Sequence, residues 1–450
     1  MTLFTMTKNN TLIDIFNAAL AAVDPYQTVK AYVRLEQDFL LVAGTKYDLT
    51  HFNKIIVVGA GKATARMALA LESILGSRIS SGLVIVKDGY TAALNIIQQI
   101  EAAHPVPSQA GLAGTQKILH MAQQADEQTL FICLISGGAS ALLIAPVADI
   151  TLADKQRVTS LLLKAGASIE ELNAVRKHLS QVKGGRLVQA AFPASVVSLI
   201  LSDVIGDRLD VIASGPTAED KSTYADAWAV FEKYQLQKLI PETVTRHMQQ
   251  GLAGKREETI KAGDACLHKV QNVIVGGLDQ ALAAAKEKSH LLGLKTEILI
   301  ADLQGEAREA ACVLADHAET TLGKMKSGER CIVLSGGETT VSVKGSGMGG
   351  RNQELALAFA LEVAGIQGVT LLSAGSDGSD GDNEAAGAIV NGNIATQARQ
   401  LDMTPEHYLA DNDSYHFFRE FDQRSGGKTH FITGPTGTNV MDIQIMLLEK

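Results

Sequence analysis

The chain has 450 residues, 46% of them apolar and 20% charged, proportions that suit a folded protein and exclude long disordered tracts. That is roughly two to three ordinary domain lengths, so two α/β domains are expected. The formal net charge of −9 excludes a broad basic surface for nucleic acid or anionic lipid, and any anionic ligand must be met by local cations.

The four cysteines, Cys133, Cys266, Cys312 and Cys331, form no C-x-x-C pair and read as reduced thiols of a cytoplasmic protein. No cationic segment followed by a long apolar run opens the sequence, so no signal peptide is expected. The uncharged stretch 128–148 is long enough to span a bilayer. SGGAS in its middle and Pro146 near its end make it strand, loop and helix instead.

In chain order, NNTLIDIFNAALAAVDP predicts an amphipathic helix with Leu12, Ile15, Phe16, Ala19 and Leu20 on one face, packed on the first domain. The apolar runs KIIVVGAG, GLVIVKDG, TLFICLISGG and ASVVSLILSD follow, separated by helical stretches, which predicts a parallel sheet covered on both faces. Between about residues 220 and 270 charge and glutamine rise and the apolar period weakens, so the domains are placed at 1–245 and 246–450. A second series comprises NVIVGG, KTEILIADL, RCIVLSGGETTVSV, GVTLLSAGSDGSDGD and THFITGPTGTNVMDIQIMLL. Within it ETTVSVKG alternates and comes too soon for a crossover helix, which predicts an antiparallel pair in a mixed sheet.

Ligands of open α/β sheets bind where loops leave the carboxyl ends of strands, and nearly every glycine-rich stretch here falls at such a place. GAGKAT keeps Gly59 and Gly61 of the dinucleotide pattern, but Thr64 stands where a third small residue is expected; nor does it fit a Walker A loop. It is either an anion-binding turn to which Lys62 adds a point charge, or a plain strand-to-helix turn. LISGGASALL sets Ser136, Gly137, Gly138 and Ser140 at a similar turn, able to offer N–H and hydroxyl groups to a carboxylate or phosphate. A serine nucleophile is disfavoured there, because the G-x-S-x-G elbow is missing.

NAVRKHLSQVKGGRL gathers Arg176, Lys177, His178, Lys183 and Arg186, with Asn173 and Lys177 on one helix face. The run is a solvated charged face or an anion site, and the acidic context favours the second. SLILSDVIGDRLDVIASGPT carries Asp203 and Asp207 past the end of a buried strand, placed for Mg²⁺, for accepting a proton, or for capping a helix. VKGSGMGGRNQELALAFAL puts Arg351 at a helix start, where the dipole favours an anion beside it. SAGSDGSDGDNEAAGAIV collects Asp377, Asp380, Asp382 and Glu384, as a surface loop or as a Mg²⁺ or ribose-hydroxyl site. His104, in AHPVPSQAG, reads as structural.

With HPVP, LSGGETTV and TGPTGTNVMD, these motifs in this order resemble the class II glycerate kinases, whose C-terminal half is the MOFRL domain, over roughly residues 10–447. The resemblance implies two different three-layer α/β/α domains, an N-terminal Rossmann-like parallel sheet and a C-terminal mixed sheet, with the active-site cleft between them. It implies Mg²⁺-dependent transfer of the ATP γ-phosphoryl to D-glycerate, typically giving 2-phosphoglycerate. Lys62, Asp203 and Arg351 match family positions, and with Asp207 they are the expected catalytic residues. Gly59, Gly61, Ser335, Gly336, Gly337, Gly349, Gly350, Asp377 and Asp380 are expected to bind nucleotide. Ser136, Gly137, Gly138, Ser140, Lys177 and Lys183 are expected to hold glycerate, and Asp203 and Asp207 the metal. The alternatives are an NAD(P)H-dependent hydroxypyruvate reductase, a label some members carry, and a non-catalytic ligand-binding protein. The expected partners are ATP and glycerate, with no nucleic acid and no membrane; a homodimer is compatible with the sequence.

Overall fold

Strands buried on both faces need a layer on each side, and the apolar runs of the first half find it in a six-stranded sheet. The structure, a computed structural model, describes residues 8–450. It divides into one unit of Pro25–Val275 and another that joins the segment up to Asp24 to Gly276–Lys450.

The first unit opens with helix Pro25–Tyr32 and a three-stranded antiparallel sheet, β1 (Val33–Glu36), β2 (Phe39–Val42) and β3 (Thr45–Asp48), which the sequence pattern did not announce. Its main sheet contains β4 (Lys54–Ala60), β5 (Ser81–Lys87), β6 (Gln98–Ala102), β7 (Thr129–Ile135), β8 (Ser195–Leu201) and β9 (Val270–Gly276). Their order is β6-β5-β4-β7-β8-β9, and the pairings from β6 to β8 are parallel. This is the doubly wound order, whose direction reverses between β4 and β7. β4 pairs with β7 from Lys54↔Thr129 to Ala60↔Ile135, and β7 with β8 up to Ile135↔Ile200, so the three strands end level. The turns that leave them are therefore neighbours.

Two expectations about this unit need correction. NVIVGG does not begin the second series but forms β9, at the edge of the first sheet beside β8. The polar stretch 220–270 is not a junction: it carries helices Tyr224–Lys233 and Glu242–Leu252, and Tyr224, Phe231, Val244 and Met248 are buried with Val158, Leu162 and Leu172 in one cluster. The apolar period was hard to see because each helix buries only one narrow stripe. The boundary placed at 245/246 falls inside Glu242–Leu252, whereas the units divide at 24/25 and 275/276.

The second unit holds the mixed sheet: β10 (Lys295–Leu303), β11 (Arg330–Gly337), β12 (Val369–Gly375), β13 (Gly387–Asn391), β14 (His430–Phe431) and β15 (Asp442–Glu449). The order is β10-β11-β15-β12-β13-β14, with β10 and β11 parallel and the remaining pairings antiparallel. The mixed sheet is as expected, but its antiparallel character comes from β15 inserted between β11 and β12. ETTVSVKG is not a strand; it is a loop that makes a single parallel β-bridge, Glu306 to Thr340, and is also held by bonds from Ser342 to Glu306 and from Lys344 and Gly345 to Asn412.

The N-terminal helix Lys8–Ala22 packs in this second unit, against helix Leu278–Leu291, β12 and β15, and not on the first domain as expected. Leu12, Ile15, Phe16 and Ala19 are fully buried, and the Phe16 ring meets Phe431 edge-on at 5.3 Å. An amphipathic face states that a helix must be covered but not by what. Among the described residues no helix is long and apolar enough to cross a membrane.

Candidate functional site

At the switch point between β4 and β7 two glycine turns interlock. Gly61 has φ +140°, and a Cβ there would overlap the Ser136 hydroxyl, so only glycine fits on both counts. Lys62 N donates to Gly137 O at 2.9 Å, and Ser136 N donates to Ala60 O at 3.2 Å. Ser136 Oγ accepts from Ala63 N at 3.0 Å and lies 3.1 Å from Thr64 Oγ1. The Ser136 hydroxyl is thus spent on fixing the lysine turn, and the residue is buried.

Thr64, which breaks the dinucleotide pattern, is fully buried at the start of helix Thr64–Leu75. A Cβ on Gly59 would come within 2.7 Å of its methyl group, which is the close helix–strand approach that the pattern's third small residue normally serves. His104 enters the same neighbourhood: a Cβ on Gly138 would sit 3.0 Å from its Cδ2 and 3.6 Å from Lys62 Cγ. Burial, together with Lys62 and Lys87, lowers the His104 pKa to about 4, so its imidazole is neutral near pH 7. The sequence signal for His104 was its place after β6, at the same sheet edge as the other turns.

A second network leaves the SGGAS turn. Lys183 Nζ donates to Ser140 O at 2.9 Å, to Ser140 Oγ at 3.3 Å and to Ala213 O at 3.2 Å. Ser140 Oγ lies 3.1 Å from Ser214 Oγ, which donates to Asn173 Oδ1 at 2.9 Å. Ala213 and Ser214 have φ +53° and +62°, left-handed conformations in which non-glycine residues are strained. Desolvation, followed by Lys155 and Arg176, pushes the Lys183 pKa well below the ordinary lysine value.

Lys177, expected beside Lys183 as a substrate ligand, is turned to other work. Its Nζ lies 3.0 Å from Asp220 Oδ1 and 3.9 Å from Asp210 Oδ2, and both Lys177 and Asp220 are buried. Burial alone would raise Asp220, but Lys177 and the bonds from Ser222 hold it below the usual carboxylate range. Asp203 and Asp207 lie in the loop that leaves β8, level with the two glycine turns; Asp207 has φ +50°. Among the described residues no three His, Cys, Asp or Glu side chains gather to hold a metal ion. Two hard carboxylates suit Mg²⁺ when substrate phosphates and water complete the shell.

The second unit centres on Arg351. Its Nε and Nη2 grip Asp442 at 2.6 and 3.0 Å, and Nη1 donates to Glu338 Oε1 at 2.7 Å. Burial opposes the charge, yet the two carboxylates raise the guanidinium pKa. Arg351 starts helix Arg351–Glu362, and the group that answers this helix's N-terminal donors is Asp380. Its Oδ1 accepts from Asn352 N at 2.9 Å and its Oδ2 from Gln353 N at 2.8 Å. Asp380, expected to bind nucleotide, is instead a buried cap whose pKa desolvation raises to about 6.

Other expected nucleotide ligands of this unit have packing roles. A Cβ on Gly350 would overlap Asp380, and one on Gly349 would overlap the Ser414 hydroxyl. Ser335, Gly336 and Gly337 are not a turn but the end of β11, paired with Gln444, Ile443 and Asp442. A Cβ on Gly337 would overlap the Leu303 backbone. Asp377 Oδ1 accepts from Ser379 N and Oγ, each at 3.0 Å. Glu338 and Asp442 were missed because their link to Arg351 spans 13 and 91 residues.

Comparison with known proteins divides the chain at other places than the two units. Residues 11–249 match a family described as a domain of unknown function, DUF4147, and residues 331–442 match the MOFRL family. A D-glycerate 2-kinase of Thermotoga maritima is 43% identical over 88% of this chain and 91% of its own. A glycerate 2-kinase of Pyrococcus horikoshii is 37% identical over 96% and 95%. The chain belongs to the glycerate kinase family, with a MOFRL domain. The crystal structure of a glycerate kinase from Thermotoga maritima superposes with a TM-score of 0.84 at 40% identity, covering 98% of this chain and 99% of that one. In this kinase family the switch-point turns and the Arg351 cluster are the features to which chemistry must be assigned.

Proposed function

We propose that the chain transfers the γ-phosphoryl of ATP to D-glycerate and gives 2-phosphoglycerate. The observation that carries this reading is Lys62, held by its backbone on the SGG turn at the switch point of a doubly wound sheet, in a chain 43% identical to a D-glycerate 2-kinase. Phosphoryl transfer asks for positioning and charge stabilisation more than for covalent chemistry. The turn after β4 supplies an ammonium on a fixed backbone for a phosphoryl oxygen, and Gly137 and Gly138 supply a surface without side chains beside it. Asp203 orients the glycerate hydroxyl and accepts its proton. Asp203 and Asp207 would hold Mg²⁺, which neutralises phosphate charge when bound. Arg351, oriented by Asp442 and Glu338, would offer its remaining guanidinium N–H groups to the nucleotide.

A hydroxypyruvate reductase is disfavoured by Thr64, whose buried side chain occupies the place of the third small residue. Relatives from Agrobacterium vitis with a provisional reductase name are 39% identical over 88% of this chain, so the name has a direct test. ATP and D-glycerate should yield ADP, whereas NADH and hydroxypyruvate should leave the absorbance unchanged. Oxidation of NADH without ADP formation would reverse the assignment.

A further inference from the structure

Helix Ile169–His178 presents Asn173 and Arg176 three residues apart, and so on one face. Arg176 differs from its neighbour Lys177: among the described residues its guanidinium bonds to no side chain or carbonyl, and burial alone, with no carboxylate, acts on it. The titratable groups that it acts on are the amines of Lys155 and Lys183, both buried. Lys155 Nζ faces the carbonyls of Arg176 and Leu179 at 3.5 and 3.4 Å. Desolvation, then Arg176 and Arg186, lower its pKa to about 7. Desolvated cations without a counter-charge are costly, and an arriving anion removes that cost.

A second observation points to the same ligand. Asn173 is 4% exposed, and its Oδ1 takes the Ser214 hydroxyl while its Nδ2 finds no partner. Buried polar groups are nearly always satisfied, so an idle donor on the same helix face as the unpaired Arg176 guanidinium marks a place for an acceptor. Through Ser214 and Ser140 this amide is continuous with Lys183 and with the SGGAS turn.

We propose that Arg176, with Asn173 Nδ2, forms the subsite for the carboxylate of the acceptor substrate, next to the amino group of Lys183. The inference rests on the glycerate kinase reading and deepens it, replacing Lys177, which Asp220 occupies, by Arg176. A guanidinium takes a carboxylate through two parallel hydrogen bonds, which fixes the acid's orientation as a lysine cannot. The phosphates of ATP are the other anion in the reaction, and the test separates the two.

Steady-state kinetics of R176A, R176K and N173A against wild type, with each substrate varied in turn, decide it. R176A should raise KM for D-glycerate about 10- to 100-fold, with kcat changed less and KM for ATP within about two-fold. R176K should recover only part of the loss, and N173A should show a smaller rise in the same parameter. Preference for glycerate over glycerol, which lacks the carboxylate, should fall in R176A. A glycerate KM within two-fold of wild type in R176A and R176K, or an equal rise in KM for ATP, overturns the subsite. If wild type does not phosphorylate glycerate, the kinase reading fails separately, and thermal shift with D-glycerate and D-lactate decides the subsite. A rise in wild type that R176A loses supports it; an equal rise in both, or none in wild type, overturns it.

Discussion

Lys62 owes its position to residues that are not charged. Gly61 lets the chain pass the Ser136 hydroxyl, and Gly137 O fixes the Lys62 amide, so the ammonium starts from a rigid base. K62A should therefore lower kcat strongly while the fold persists. D203N removes the proton acceptor but keeps the shape, and loss of a positioned base costs about 10²- to 10⁴-fold in kcat. Near wild-type turnover in both variants would reject these roles, with ATP binding measured alongside to separate chemistry from affinity. At this scale the sequence was readable where function depends on a local turn. It was not readable where function depends on a remote partner. Nothing near Lys177 in sequence reveals that Asp220 neutralises it, and Arg176 looked no more available than its neighbours.

Elements show the same limit in another form. The helix Arg351–Glu362 was legible from its apolar residues, but its N-terminus was read as waiting for an anionic ligand. The anion it meets is Asp380, which arrives from the loop after β12 and accepts from two backbone amides. D380A should cost roughly 1–2 kcal/mol by the usual worth of such a cap, read as a lowered denaturant midpoint with an unchanged slope.

The segment before β9 makes a second case. Burial alone would raise the Glu258 pKa, but His178 Nε2, 2.9 Å away, and Tyr224 N hold it at about 2. A carboxylate lowered in the fold adds stability that is present above its ordinary value, near 4.5, and is lost as the pH falls toward 2. The melting temperatures of wild type and E258Q should therefore differ at about pH 5 and converge as the pH approaches about 2. A constant difference would mean that the carboxylate charge is not what matters.

On the scale of the molecule, the sequence showed two α/β units and the sheet type of each, because continuous apolar strands and glycine turns are local signals. It did not show that the chain leaves the second unit after its first helix and returns at Gly276, since coverage of an amphipathic face is decided by elements far along the chain. F16A tests this organisation. It removes a fully buried ring from the packing with Phe431, at a typical cost of about 3–5 kcal/mol. Amide exchange should accelerate in β12 and β15 and stay unchanged in β4 and β7; the opposite pattern would place the helix in the other unit.

The central claim is the reaction. Incubation with ATP, Mg²⁺ and D-glycerate, followed by phosphorus and proton NMR of the product, reads reaction class and position together. The expected result is ADP and a phosphoester whose phosphorus couples to the single proton on carbon 2. Coupling to the two protons on carbon 3 would contradict the assigned position, and the absence of any phosphoester would contradict the function.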